Sequence, residues 1–154
     1  MTVSAEAIFD VLRQVRDPEI PTLNIVDMGL VREIRHTPEV IQVDLIPTFS
    51  GCPGLELMRR EIERRLKDTW PEASEIRVRF QLKEPWTPER LSQDGQEQLR
   101  QAGIAPPHLG DAPLPCPICG SLNTRLNEVY ASAACLSLYR CLTCHNPFSA
   151  FKPW

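Results

Sequence analysis

The chain has 154 residues, 42% of them apolar, and a formal net charge of −3 from 17 basic and 20 acidic side chains. That length fits one ordinary domain, or a domain of about 100 residues with a small appendage, and the charge gives no global attraction to nucleic acid or an anionic membrane. No apolar run approaches the roughly 20 residues of a membrane-spanning helix, and residues 1–7 lack the basic-then-apolar order of a secretion signal; the expectation is a soluble cytoplasmic protein.

Ala5, Ile8, Leu12 and Val15 recur on one helical face, so the spacing predicts a helix over 4–15 with Ser4 as its N-cap. Asp17-Pro18-Glu19-Ile20-Pro21 stops it, because a residue before proline disfavours the helical region. Residues 30–36 and 40–46 read as two strands joined at Thr37-Pro38-Glu39, the second carrying Ile41, Val43 and Leu45 in alternation. A second helix is expected from Pro53 to Lys67, burying Leu55, Met58, Ile62 and Leu66 and turning its arginines to water. Trp70-Pro71 ends it, and Ile76, Val78, Phe80 and Leu82 alternate as a third strand. The order α-β-β-α-β implies a small α+β sandwich with helices on one face of a mixed sheet.

Thr87-Pro88 opens a short polar helix over 88–102, ending at Gly103. Residues 105–113 form a proline-rich, nearly uncharged linker. The expected division is therefore an α+β domain over 1–104, that linker, and a small C-terminal domain over 114–154. No internal repeat is present.

Five of the six cysteines lie between Cys116 and Cys144. In a reducing compartment, paired C-x-x-C spacings point to a metal rather than to disulfides. Cys116, Cys119, Cys141 and Cys144 form two such knuckles, and the 21 residues between Cys119 and Cys141 are enough for a hairpin. Four thiolates suit zinc, which accepts them tetrahedrally and leaves no position open for a substrate; the expectation is a Cys₄ zinc ribbon with a structural ion. Iron in a rubredoxin-like site and a disulfide framework are the alternatives. Gly120 suits positive φ after the first knuckle, as does Asn146 after the second, and His145 is not needed as a ligand. From residue 105 onward Arg125, Arg140 and Lys152 stand against Asp111 and Glu128, a balance too weak to attract a phosphate backbone. The aromatic tail Phe148, Phe151 and Trp154 is left to pack on the ribbon or to dock a protein.

Cys52 precedes Pro53 in a loop flanked by Gly51 and Gly54. As N-cap of the second helix it would sit at the positive end of the helix dipole, with a lowered pKa; a small packed residue is the plainer reading. As an enzymatic nucleophile it would need a base, and His36, His108 and His145 are the candidates, with His36 alone in the same expected domain. No phosphate-binding, dinucleotide or serine-hydrolase motif is present. Asp17 and Glu19 are carboxylates in a rigid turn that could approach Cys52.

Taken together, Asp17-Pro18-Glu19-Ile20-Pro21, then residues 24–31, then Thr48 with Gly51-Cys52-Pro53, resemble a family of small domains that assist iron–sulfur cluster assembly. The match covers roughly residues 4–83. With the linker and Cys₄ ribbon added, the whole chain resembles the PaaD (PaaJ) family of accessory subunits of the bacterial phenylacetyl-CoA ring-epoxidase system. The resemblance implies a non-catalytic role in phenylacetate catabolism, maturing or delivering a transient iron–sulfur cluster, with the system's iron–sulfur reductase as client and other subunits as partners. A homodimer stays open. It places the family's reactive cysteine on Cys52, with Asp17, Glu19 and Thr48 in support, and a further ribbon cysteine on Cys135, either a buried spare thiol or a second functional one. The residues around Cys135 depart from the family's usual Gly, Ser, Thr, Ala, Cys and basic run. A structural subunit of the oxygenase complex, with Cys52 inert, is the alternative.

Overall fold

A computed structural model describes residues 2–107 and 113–152, and the chain divides into two compact units, Met1–Trp86 and Thr87–Trp154. The first unit runs α1 (Ala5–Leu12), β1 (Val31–His36), β2 (Val40–Leu45), α2 (Leu55–Thr69) and β3 (Glu75–Phe80). Its sheet has the order β1-β2-β3, antiparallel between β1 and β2 and parallel between β2 and β3. This is the expected mixed α+β arrangement.

In α1 the Ser4 hydroxyl accepts the Ala7 N–H at 3.1 Å, satisfying one of the donors that a helix start leaves open. The helix buries Ile8, Val11 and Leu12 but stops three residues before the expected end. Val15 is still fully buried, yet its carbonyl accepts the Ile25 N–H at 3.1 Å, and Asp17 N–H reaches Leu23 O at 3.0 Å. The returning chain takes the backbone groups that a further turn would have used.

That return, residues 17–30, is packed: Ile20, Leu23, Ile25, Met28 and Leu30 are each at most 2% exposed. Asn24 Oδ1 accepts from Val26 and Asp27 N–H, and Gly29 takes φ 73°. The buried Trp86 indole donates to Met28 O at 2.7 Å, tying the end of the first unit to this segment.

The second helix starts two residues later than expected, with Gly54 at its N-cap. Met58, Ile62 and Leu66 are buried, whereas Leu55 is half-buried. Arginines on the other face pair with carboxylates one turn away, as in Arg59–Glu63 at 2.6 Å and Arg64–Asp68 at 2.8 Å, the usual solvated arrangement. Leu82, expected in the third strand, lies beyond its end and is 62% exposed.

The second unit contains a 3-10 turn (Pro88–Arg90), α3 (Gln93–Gln101), β4 (Ile104–Ala105), β5 (Thr124–Glu128), β6 (Leu136–Cys141) and β7 (Pro147–Phe151). The single helix expected over 88–102 is broken because Leu91 is extended, and Ser92 caps α3 by accepting Gly95 N–H at 2.9 Å. The sheet order is β4-β7-β6-β5. The chain divides after Trp86, earlier than the proline-rich stretch where the sequence put the boundary. Ile104 and Ala105 pair with Ser149 and Ala150 as a strand, so the segment read as the linker's start carries sheet hydrogen bonds; residues 108–112 of that linker lie outside the described residues. The core of this unit is Ala105, Leu114, Cys116, Cys141, Phe148 and Ala150, with Tyr139 stacked on Phe148 at 5.8 Å. Phe151 is also buried, while Trp154 lies outside the described residues.

Candidate functional site

Cys116, Cys119, Cys141 and Cys144 bring their four sulfurs within 4.8 Å of one another. Cys116 and Cys144 sulfurs are 3.8 Å apart, and those of Cys119 and Cys141 3.6 Å. A tetrahedron with metal–sulfur bonds of about 2.3 Å has edges of about 3.8 Å, while a disulfide needs about 2.05 Å. The spacing is that of a metal cage.

The backbone builds this cage. Gly120 N–H returns to Cys116 O at 2.9 Å, and Cys141 N–H donates to Asn146 O at 3.0 Å. Gly120 takes φ 75°, as expected. In the second knuckle the positive φ falls on His145, at 64°, and not on Asn146. The amide of Asn146 is used differently: its Nδ2 lies 3.4 Å from the Cys144 sulfur. Ile118 N–H and Cys144 N–H donate to the Cys116 and Cys141 sulfurs at 3.4 and 3.5 Å. The N–H groups of Cys144 and Thr143 hold the Cys141 thiol down at about 6, and those of Asn146 lower Cys144. For Cys119 the Ser121 N–H pulls downward but is outweighed by desolvation and by the neighbouring thiols, which push it up to about 11. Four thiols this close cannot all shed protons without a cation, and a divalent ion meets that need. Ser121 and Thr143 hydroxyls meet at 2.8 Å and link the knuckles.

The first-unit site is different in kind. Asp17 is 4% exposed, and its Oδ1 accepts Glu19 and Ile20 N–H at 2.7 and 3.0 Å. Burial pushes its carboxyl up against the pull of those two N–H groups. A Cβ built on Gly54 would lie 2.5 Å from Pro18 Cγ and 3.6 Å from the Cys52 sulfur. The acidic turn and the Cys52 loop therefore close on each other through a glycine that leaves just enough room. Thr48, 7% exposed, lies in the same loop.

Cys52 is half-buried, and it is not the helix N-cap. Burial pushes its thiol up, the Gly54 N–H opposes this, and Asp17 and Glu19 raise it further. The lowered pKa expected from the helix dipole is thus corrected. The helix begins too late for Cys52 to cap it, and burial outweighs the Gly54 N–H, with the Asp17 and Glu19 charges adding to the rise.

Residues 5–79 match the iron–sulfur cluster assembly protein family, and residues 105–152 match the PaaD zinc beta ribbon domain. A relative in Escherichia coli (strain K12), provisionally named as a subunit of 1,2-phenylacetyl-CoA epoxidase, is 39% identical over 151 residues, covering 94% of this chain and 90% of its own. The chain belongs to the PaaD family. Two solved relatives show the same fold at 27% identity. One is a domain of unknown function, DUF59, from Bacillus anthracis, with a TM-score of 0.57 over 61% of this chain and 89% of its own. The other is a conserved hypothetical protein from Thermotoga maritima, with a TM-score of 0.55 over 64% and 95%.

In this PaaD-family chain Cys135 is not part of the four-thiol group. It is buried before β6, and its carbonyl accepts Lys152 N–H at 3.0 Å. No helix among the described residues is long and apolar enough to cross a membrane. The sequence reading missed the Pro18–Gly54 contact, the Ser121–Thr143 link and the amide of Asn146 at sulfur. The first two join residues far apart in the chain and left no local pattern to find.

Proposed function

We propose that this PaaD-family protein is a non-enzymatic iron–sulfur maturation or delivery factor of the phenylacetyl-CoA epoxidase system in phenylacetate catabolism. Its client is the system's iron–sulfur reductase component, its setting the cytoplasm. The observation that supports this reading is Cys52 in a glycine-flanked loop, closed against the buried Asp17 turn of an assembly-family domain. The cluster is cargo, and Cys52 supplies one sulfur ligand. A thiol held up by burial and by carboxylates stays protonated until iron displaces the proton, so cargo binding and proton release are coupled. Asp17, Glu19 and Thr48 border that event. Zinc fills the Cys₄ site and holds the ribbon together, and the ribbon docks the partner subunits. The α+β unit, Met1–Trp86, carries the cargo chemistry, and the ribbon belongs to the second unit, Thr87–Trp154.

The raised Cys52 thiol also favours a second reading, a structural subunit of the epoxidase complex in which this cysteine is inert. Anaerobic reconstitution with ferrous iron and sulfide separates the two. The cargo reading expects visible charge-transfer absorbance in the wild type and its loss in Cys52→Ala. In cells, reductase purified from a Cys52→Ala strain should be poor in iron and acid-labile sulfide; full occupancy there rejects the cargo reading.

A further inference from the structure

The register of the ribbon sets Arg125 on β5 directly opposite Arg140 on β6. Directly opposed residues of an antiparallel pair share one face, and like charges there destabilise the pair. Arg140 meets Pro147 on its other side, which offers no compensating charge. Both arginines are exposed, and neither makes an ion pair among the described residues. In the first unit Arg32, Arg35, Arg59, Arg64, Arg65 and Arg77 each hold a carboxylate, while Arg16 bonds a backbone carbonyl and Arg79 makes no ion pair among the described residues. The two cations also adjoin exposed apolar side chains at the metal end of the ribbon. Leu122 is 58% and Leu142 45% exposed, and the Leu142 N–H bonds Asn123 O at 2.8 Å, so the two leucines sit at the same end as the arginine pair. Planar guanidinium forks suit paired carboxylates, and flanking leucines suit a partner that covers them.

We infer that the metal end of the ribbon is a docking surface for an acidic patch of another polypeptide, with Arg125 and Arg140 receiving carboxylates and Leu122 and Leu142 buried beside them. This rests on reading the ribbon as the docking element and is independent of Cys52. The cost of opposing two cations is recovered when partner carboxylates stand between them. Across Thr87–Trp154 five basic residues stand against five acidic ones, a balance that gives a phosphate backbone no attraction, so the fitting partner is a protein.

The test titrates each purified remaining subunit of the phenylacetyl-CoA epoxidase system into the metal-replete full chain by calorimetry, at low and at physiological salt. One subunit should bind, more weakly as salt rises, and Arg125→Glu with Arg140→Glu should lower its affinity by at least about tenfold. Arg125→Gln with Arg140→Gln should give a smaller loss, and retained metal shows that each variant is folded. Cys52→Ala should bind like the wild type, so failure of the cargo reading leaves this result standing. Binding that ignores the charge reversals, binding by none of the subunits, or equally tight charge-dependent binding to a duplex oligonucleotide would each overturn the inference.

Discussion

The two units differ in what holds them. The first buries Trp70, Trp86, Ile8, Leu12, Ile20, Leu23 and Ile25 almost completely, and this apolar surface alone is enough to fold a small domain. In the second, two of the six residues of the core cluster are metal-site cysteines. Six of the nine large exposed apolar side chains among the described residues also belong to it: Ile118, Leu122, Leu126, Val129, Tyr130 and Leu142. A sheet that leaves so much apolar surface in water has little burial to fold on. The lesson is one of division: where coordination supplies folding free energy, surface residues are released from the core and become available for contact.

The largest expected effect breaks that difference outright. Cys116→Ser or Cys141→Ser should release the metal and unfold the second unit, since a structural zinc site contributes about 10 kcal/mol or more. The first unit should keep its cooperative unfolding transition. Elemental analysis, which should give one zinc per wild-type chain, and limited proteolysis check both halves. A variant that keeps a protease-resistant ribbon without metal would show that its core suffices.

Next in size is a lesion confined to the first unit. Gly54→Ala places a Cβ at 2.5 Å from Pro18 Cγ, and such overpacking costs about 1–3 kcal/mol. Denaturant titration should show a lower midpoint for the first unit, while metal content is unchanged. An unaltered midpoint would mean that the acidic turn is not pressed against the Cys52 loop.

Thiol chemistry sharpens the comparison further. Cys52 should alkylate more slowly than a model thiol at neutral pH, with its rate midpoint above the ordinary cysteine range, because burial and the Asp17 and Glu19 charges oppose the thiolate. Asp17→Asn removes one of those charges and should move the midpoint down. Labelling rate against pH, with the ribbon thiols held by metal, measures this; an unmoved midpoint would leave burial as the whole cause.

The smallest effect is on stability against pH. The Asp17 carboxyl is raised in the folded state, so folding favours its protonated form. That contribution is present in acid and is lost as pH rises from the ordinary aspartate range through the raised value. Asp17→Asn keeps an oxygen to accept the Glu19 and Ile20 N–H groups and should flatten this segment of the stability profile.

The sequence by itself determined much of this protein. Helical and alternating apolar periods located α1, β1, β2, α2 and β3 to within a few residues, because each period reports which side faces the core. The two C-x-x-C pairs located the metal site, because tetrahedral coordination dictates ligand type and spacing. Tertiary structure decided the rest. Competition from residues 23–25 for backbone groups ended α1 early, and strand pairing drew Ile104 and Ala105 into the ribbon. The character of Cys52 was decided in the same way. Its local position suggested a helix terminus and a lowered pKa, but burial raises the thiol, and Asp17 and Glu19, more than thirty residues away in the chain, raise it further. The opposition of Arg125 and Arg140 is likewise a product of strand register. Periodicity and ligand spacing are local and can be read along the chain, whereas burial and charge at a point depend on whatever the fold brings there.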